Sequence, residues 1–136
     1  MSSTVIPGFR YRNAKAAIDF LVDAFGFEVK LLVEGEGDLI EHAQLVHGAG
    51  MVMVGSIRDD EYARLTGLDV DPSRSAVAPY VIVDNVAAHA ERARRAGAEI
   101  LIEPAEQDYG GSDYTARDLE GYIWSFGSYD PWERAG

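Results

Sequence analysis

Cysteine is absent from this chain of 136 residues, which removes disulfides, thiolate nucleophiles and thiolate metal sites together. Any bound metal would have to rest on histidine, carboxylate or water ligands, and there are only three histidines. Positive charge is also scarce. Twelve Lys and Arg stand against 23 Asp and Glu, a formal net charge of −11. Binding to a phosphate backbone needs a basic footprint, so nucleic acid is not an expected partner. No apolar run is long enough to span a bilayer, and MSSTVIPGF has neither the basic start nor the apolar stretch of a signal peptide. A cytoplasmic location without a membrane partner is the expectation. Several catalytic signatures are missing as well. There is no G-x-S-x-G elbow, P-loop, dinucleotide fingerprint or H-E-x-x-H, and Asp59, Asp60 and Glu61 lack the alternating ligands of a calcium loop. That acidic cluster reads as a solvated loop.

What is present is a repeat. RYRNAKAAIDFLVDAFGFEVKLL, from Arg10, reads as strand, turn, amphipathic helix, glycine and strand, and VIVDNVAAHAERARRAGAEILIE, from Val81, reads the same way. Asn13 and Asn85 stand 72 residues apart; the helix-ending glycines Gly26 and Gly97 stand 71 apart. Repeats of this kind decide architecture before single residues do, and here they imply two modules that share one core around a cleft. The expected organisation is a single domain over 1–136, with module one at 4–57, a connection at 58–76 and module two at 77–130.

Asn13 is a natural N-cap, followed by a stripe of Ala14, Ala17, Ile18, Leu21 and Phe25 at helical spacing. In module two Asp84 or Asn85 caps a thinner stripe of Val86, Ala90 and Ala93. Three strands follow each helix: Phe27 to Val33, Leu39 to Val46 and Met51 to Val54, then Glu99 to Glu103, Asp113 to Arg117 and Tyr122 to Gly127. The turns GEGD and HGAG separate the first set, EPAEQDYGGS and DLEG the second. Each module therefore reads β-α-β-β-β, an α+β fold. A short helix is expected around Glu61 to Leu65 in the otherwise polar connection.

A doubled unit with these signatures resembles the vicinal oxygen chelate superfamily, which includes glyoxalase I, bleomycin-resistance proteins and extradiol dioxygenases. The resemblance rests on AKAAIDFLVDAFGFEV, VIVDNVAAHAERARRAGAEI and the ending DYGGSDYTARDLEGYIWSFGSYDPW. It implies paired curved sheets around a cleft, the glyoxalase/bleomycin-resistance fold, and homodimers that often share clefts between chains. It also implies four metal-ligand positions, which fall here at Ile6, Met53, Ala78 and Ser125. Members that bind metal carry His, Gln or Glu there. Isoleucine, alanine and a thioether are not donors for zinc, nickel, iron or manganese, so no metal cofactor is expected.

Strand alternation from Met53 and Ser125 assigns the cleft lining. Met51 and Ile123 join them, as do Gly8 and Arg10 with Ile6, and Tyr80 and Ile82 with Ala78. His42 and Gln44 form the polar set of the third strand. The candidate ligand-binding residues are Arg10, His42, Gln44, Met51, Met53, Tyr80, Tyr114 and Ser125, a mostly apolar lining with a few polar points. His42 is the candidate acid–base group, because imidazole titrates near neutrality. Its plainer reading is a strand histidine with an ordinary hydrogen bond. Arg10 suits a carboxylate or phosphate, and its plainer reading is a surface ion pair. His47 and His89 read as structural or solvent-exposed. Most of Tyr109, Tyr114, Tyr122, Trp124, Tyr129 and Trp132 read as core or dimer packing, and a minority as stacking surfaces.

The leading expectation is a binding protein resembling the bleomycin-resistance branch, holding a small cationic or aromatic molecule without a metal. The alternative is a metal-dependent glyoxalase- or dioxygenase-like enzyme, its ion held by His42 with Glu41 or Gln44. A third reading is metal-free acid–base catalysis by His42.

Overall fold

The computed structural model describes residues 3–66 and 71–133. Module one runs β1 (Gly8–Tyr11), α1 (Ala14–Phe25), β2 (Glu28–Glu34), β3 (Ile40–His47) and β4 (Gly50–Ser56). A short helix, α2 (Glu61–Thr66), and a single 3-10 turn at Pro72–Arg74 follow in the connection. Gly67 to Val70 lie outside the described residues. Module two runs β5 (Tyr80–Ile82), α3 (Val86–Arg95), β6 (Glu99–Glu106), β7 (Ser112–Arg117) and β8 (Ile123–Gly127).

The two sheets have the same topology, β1-β4-β3-β2 and β5-β8-β7-β6. In each, the first strand lies parallel to the last and the remaining pairs are antiparallel. The repeat holds at the level of single hydrogen bonds. Met53 N–H donates to the Pro7 carbonyl at 2.9 Å, and Ser125 N–H to the Pro79 carbonyl at 3.0 Å. Asn13 accepts from Ala16 N–H at 3.1 Å and Asn85 from Ala88 N–H at 3.0 Å, so Asn85 and not Asp84 is the second cap. These caps satisfy backbone donors that the first turn of a helix leaves free. Gly26 (φ 83°) and Gly97 (φ 103°) end the helices in the left-handed region, which a side chain rarely adopts.

The expected strand ends shift by one to three residues. The largest change is in β6, which continues through Pro104 to Glu106 with register shifts along its length. A proline fits there because β6 is an edge strand and its bulges free the backbone from regular pairing. The turn shrinks accordingly to Gln107–Gly111. The loop of Asp59, Asp60 and Glu61 is not merely solvated. Asp60 caps α2, accepting from Ala63 N–H at 2.8 Å, and pairs with Arg10 of β1 at 2.9 and 3.1 Å.

Alternation along the strands decides which face of each sheet is buried. In β3 and β4, Ala43, Leu45, Val52 and Val54 are buried; in β7 and β8, Tyr114, Ala116, Trp124 and Phe126 are buried. These faces carry α1 and α3, and both modules contribute to a single core. Trp124, fully buried, stacks on Phe9 at 5.0 Å and lies 5.6 Å from both Phe25 and Phe27. Offset and edge-on aromatic contacts of this kind add about 0.5–1.5 kcal/mol each to the burial itself. Arg92 of α3 donates to the carbonyls of Asp23 and Val22, closing the C-terminal end of α1 where carbonyls lack helical partners.

A buried carboxylate fixes the other end of this joint. Asp118, in the turn between β7 and β8, accepts from the Tyr11 hydroxyl at 2.6 Å and from Trp124 Nε1 at 3.0 Å. It also accepts from the backbone N–H groups of Glu120, Gly121 and Tyr122. Glu120 beside it accepts from the N–H groups of Arg12 and Asn13, both at 2.7 Å, at the entrance of α1. Burial pushes the Asp118 carboxyl upward from the usual carboxylate range, and its donors pull it back down.

Candidate functional site

The second face of each sheet points away from the shared core, and its side chains are half-buried or, at Tyr80, exposed. On module one this face carries Arg10, His42, Gln44, Met51 and Met53. In the register of the sheet Gly8 stands opposite Met53, Met53 opposite Gln44, and Met51 opposite Val46. Arg10, His42 and Met53 line a hollow of about 240 Å³ together with Glu41, Arg58 and Tyr62. Gln44 joins it through His42, amide nitrogen to imidazole Nε2, at 3.2 Å.

Arg10 does not stand free. Its guanidinium forms the fork to Asp60 and lies over the Tyr62 ring at 4.6 Å, so α2 is tied down across one side of the hollow. Arg10 holds the Asp60 carboxyl at about 2, below the usual carboxylate range. Arg58 donates to the Glu41 carbonyl at 3.3 Å, while its buried Nε has no hydrogen-bond partner.

On module two the open face carries Tyr80, Ser125, Thr115 and Asp113. Tyr80 stands opposite Ser125, and Ser125 opposite Thr115, whose hydroxyl lies 2.9 Å from that of Ser125. The Tyr80 hydroxyl donates to the Tyr129 carbonyl at 2.8 Å. A Cβ on Gly127 would collide with Tyr80, so glycine there is what seats the ring.

Tyr114 is a correction to the expected lining. It alternates with Asp113 and Thr115 and therefore points into the core, fully buried against α3. Its hydroxyl meets His89 Nδ1 at 2.5 Å, and His89 Nε2 lies 2.8 Å from the Phe25 carbonyl. A carbonyl only accepts, so Nε2 holds the proton and the Tyr114 hydroxyl donates to Nδ1. His89 is thus a structural bridge between the modules. The His47 ring lies 6.3 Å from it, and burial pushes both imidazoles down from their ordinary value.

The structure thus brings Arg10, His42, Gln44, Met51 and Met53 onto one face, and Tyr80 and Ser125 onto another. Sequence reasoning missed Asp60, Arg58 and Tyr62 on the first and the grouping of Tyr109, Tyr129 and Asp113 on the second. Asp60 had one legible signal, an aspartate three residues before the helical Ala63. The grouping had none, because it depends on how a glycine turn folds back.

The donor set for a metal is poor. β1 and β5 begin two residues after Ile6 and Ala78, and the cross-strand neighbours of Met53 and Ser125 are Gly8 and Tyr80. Glycine offers no donor and the Tyr80 hydroxyl is engaged. Among the described residues no group of three His, Asp or Glu could hold an ion. The residues present do not fit a divalent metal at these positions.

The family model for the Glyoxalase/Bleomycin resistance protein/Dioxygenase superfamily matches residues 7–126, and the chain belongs to that family. It is similar to TioX from Micromonospora sp. ML1, with 30% identity, 93% of this chain and 98% of that one covered, and a TM-score of 0.73. A bleomycin resistance determinant encoded on the transposon Tn5 shares the fold at 16% identity, 95% and 99% coverage and a TM-score of 0.66. A glyoxalase I mutant from Zea mays does so at 18% identity and a TM-score of 0.69, covering 90% of this chain and 43% of that one. No curated protein matches the sequence. Among the described residues no helix is long and apolar enough to cross a membrane.

Proposed function

We propose that this protein binds a small cationic or aromatic molecule on its open sheet faces without a metal, in the manner suggested by its likeness to a bleomycin resistance determinant. The observation that carries the reading is the residue set at the family's metal positions: Ile6, Met53, Ala78 and Ser125 in place of His, Gln or Glu. The hollow beside them is lined by a thioether, aromatic carbon and a few pinned polar groups, which suits recognition of an organic ligand. It lacks an activated nucleophile.

We read the working unit as a homodimer. All seven residues of β2 are exposed, including Val29, Leu31, Leu32 and Val33, on the edge of the sheet that carries the hollow. An apolar edge of this kind is a pairing surface that natural proteins cover. A second copy over β2 would also wall in a hollow that at about 240 Å³ is small for a drug-sized ligand.

Native mass spectrometry of the purified protein, before and after incubation with zinc, nickel, manganese and ferrous iron, tests both parts. The expected result is a dimer with no stoichiometric metal and a copurified organic mass. One tightly held ion per chain would overturn the reading in favour of a glyoxalase- or dioxygenase-like enzyme. One observation supports that second reading: His42 and Gln44 share a face with their side chains 3.2 Å apart.

A further inference from the structure

Three tyrosines gather at one end of the open face of module two. Tyr80, Tyr109 and Tyr129 are all substantially exposed, at 40%, 58% and 39%. Rings left this open to water often have no polar partner, and two of these are hydrogen-bonded. The Tyr80 hydroxyl is tied to the Tyr129 carbonyl, and the Tyr109 hydroxyl donates to Asp113 at 2.5 Å. Tyr109 and Tyr129 meet edge to face at 5.2 Å and 83°. Asp113 is further fixed by the Gln107 amide at 2.9 Å.

Glycine makes this crowding feasible. A Cβ on Gly127 would strike Tyr80 and Asp113, and one on Gly111 would meet Ser128 and the Tyr129 backbone. Gly110 and Gly111 both have positive φ, at 111° and 70°, which lets the turn after Tyr109 fold back toward Tyr129.

The local charge has one sign. Between Ala96 and Glu133 the only basic residue is Arg117, while Glu106, Asp108, Asp113 and Asp130 surround the tyrosine cluster in the chain. Arg117 pairs with Glu99, and along β7 it is four residues from Asp113, roughly 13 Å of strand. No cation on the same strand neutralises the cluster.

Ring faces carry negative potential, and the Asp113 carboxylate, bonded to the Tyr109 hydroxyl, adds to it. We propose that Tyr80, Tyr109, Tyr129 and Asp113 form a binding platform for organic cations of the quaternary ammonium type. This deepens the proposed function by naming the ligand group and its place, and it rests on that reading. The platform takes the cationic group on module two and is distinct from the hollow at His42 and Met53 of module one.

The test is an NMR titration of the full-length protein with choline and with its uncharged carbon isostere 3,3-dimethylbutan-1-ol, following tyrosine ring and methionine methyl signals. Choline is expected to shift the rings of Tyr80, Tyr109 and Tyr129 saturably at millimolar concentration, and the isostere to bind about two- to five-fold more weakly, as the about 0.5–1 kcal/mol of cation–π attraction at exposed rings requires. Tyr109→Leu and Asp113→Asn should each weaken choline by a similar factor. Tyr109 is exposed, so its replacement leaves the core intact, and unchanged backbone amide spectra verify that.

Equal binding of choline and isostere would overturn the proposal by showing an apolar surface. So would choline that leaves the three rings unshifted, even if the Met51 and Met53 methyls respond; that pattern defeats the platform and keeps the proposed function. Metal uptake at the module-one face with intact choline binding at the tyrosines would do the reverse.

Discussion

The two modules agree in the backbone joints that build them and differ in side chains, both on the buried faces of their helices and on their open sheet faces. Both use an asparagine cap, both hang the last strand on a proline carbonyl, and both end the helix on a left-handed glycine. Their helices diverge in bulk. α1 buries Phe20, Leu21 and Phe25, whereas α3 buries only Val86, Ala90 and Ala93 and reaches across with His89 and Arg92. The open faces diverge further, one built from methionine, histidine and arginine, the other from tyrosine, serine and aspartate. A duplicated fold therefore restrains the frame twice and leaves each face free to take its own ligand chemistry.

The comparison can be broken most severely at Trp124, where both modules meet. Trp124→Ala should destabilise the chain by about 4 kcal/mol in urea unfolding, because a full aromatic volume is lost from a packed core. If the loss were under ~1 kcal/mol, the modules would not share a core. Asp118→Ala comes next, at about 3 kcal/mol, since Tyr11, Trp124 Nε1 and three backbone donors lose their acceptor. Tyr11→Phe should recover part of that difference.

Acid should loosen the same joint. His47 and His89 are held neutral by burial, so their folded-state values lie below the ordinary 6.5. Below that value the unfolded chain binds more protons than the folded one, and stability falls as pH drops through the window beneath 6.5. A midpoint of thermal unfolding that is flat from pH 7.5 to 5 would contradict the half-buried neutral pair. His89→Gln should flatten the slope.

The finest comparison is between the caps. Asn13→Ala and Asn85→Ala should each reduce stability by roughly 1 kcal/mol, and by amounts that agree within a factor of two. A much larger loss at Asn13 would mean that the Glu120 clamp on its backbone depends on the cap geometry.

The frame was legible in the sequence because it is local. Capping asparagines, helical stripes and glycine ends are set by neighbouring residues, and the fixed offset between modules revealed the doubling. Alternation then placed Met51 beside Met53, and the polar set of His42 and Gln44, alternating with Ala43 and Leu45, was assigned to the same face. The same rule should have removed Tyr114 from the lining, since it shares parity with the buried Ala116; counting aromatics as ligand surface overrode it. Arg10–Asp60 and Tyr109–Asp113 were not legible. The first joins residues fifty apart through a loop, and the second depends on a glycine turn whose path no periodicity encodes.

The clamp of Asp118 and Glu120 onto Tyr11, Arg12 and Asn13 has a consequence for how divisible the chain is. Its contacts, like those of Trp124, Arg92 and His89, join the halves without using the peptide connection between them. Fragments 1–57 and 77–136 carry complementary halves of one interface, so the two halves meet as two subunits would. Cut in the connection and mixed, they should find each other in solution and restore the buried environment of Trp124.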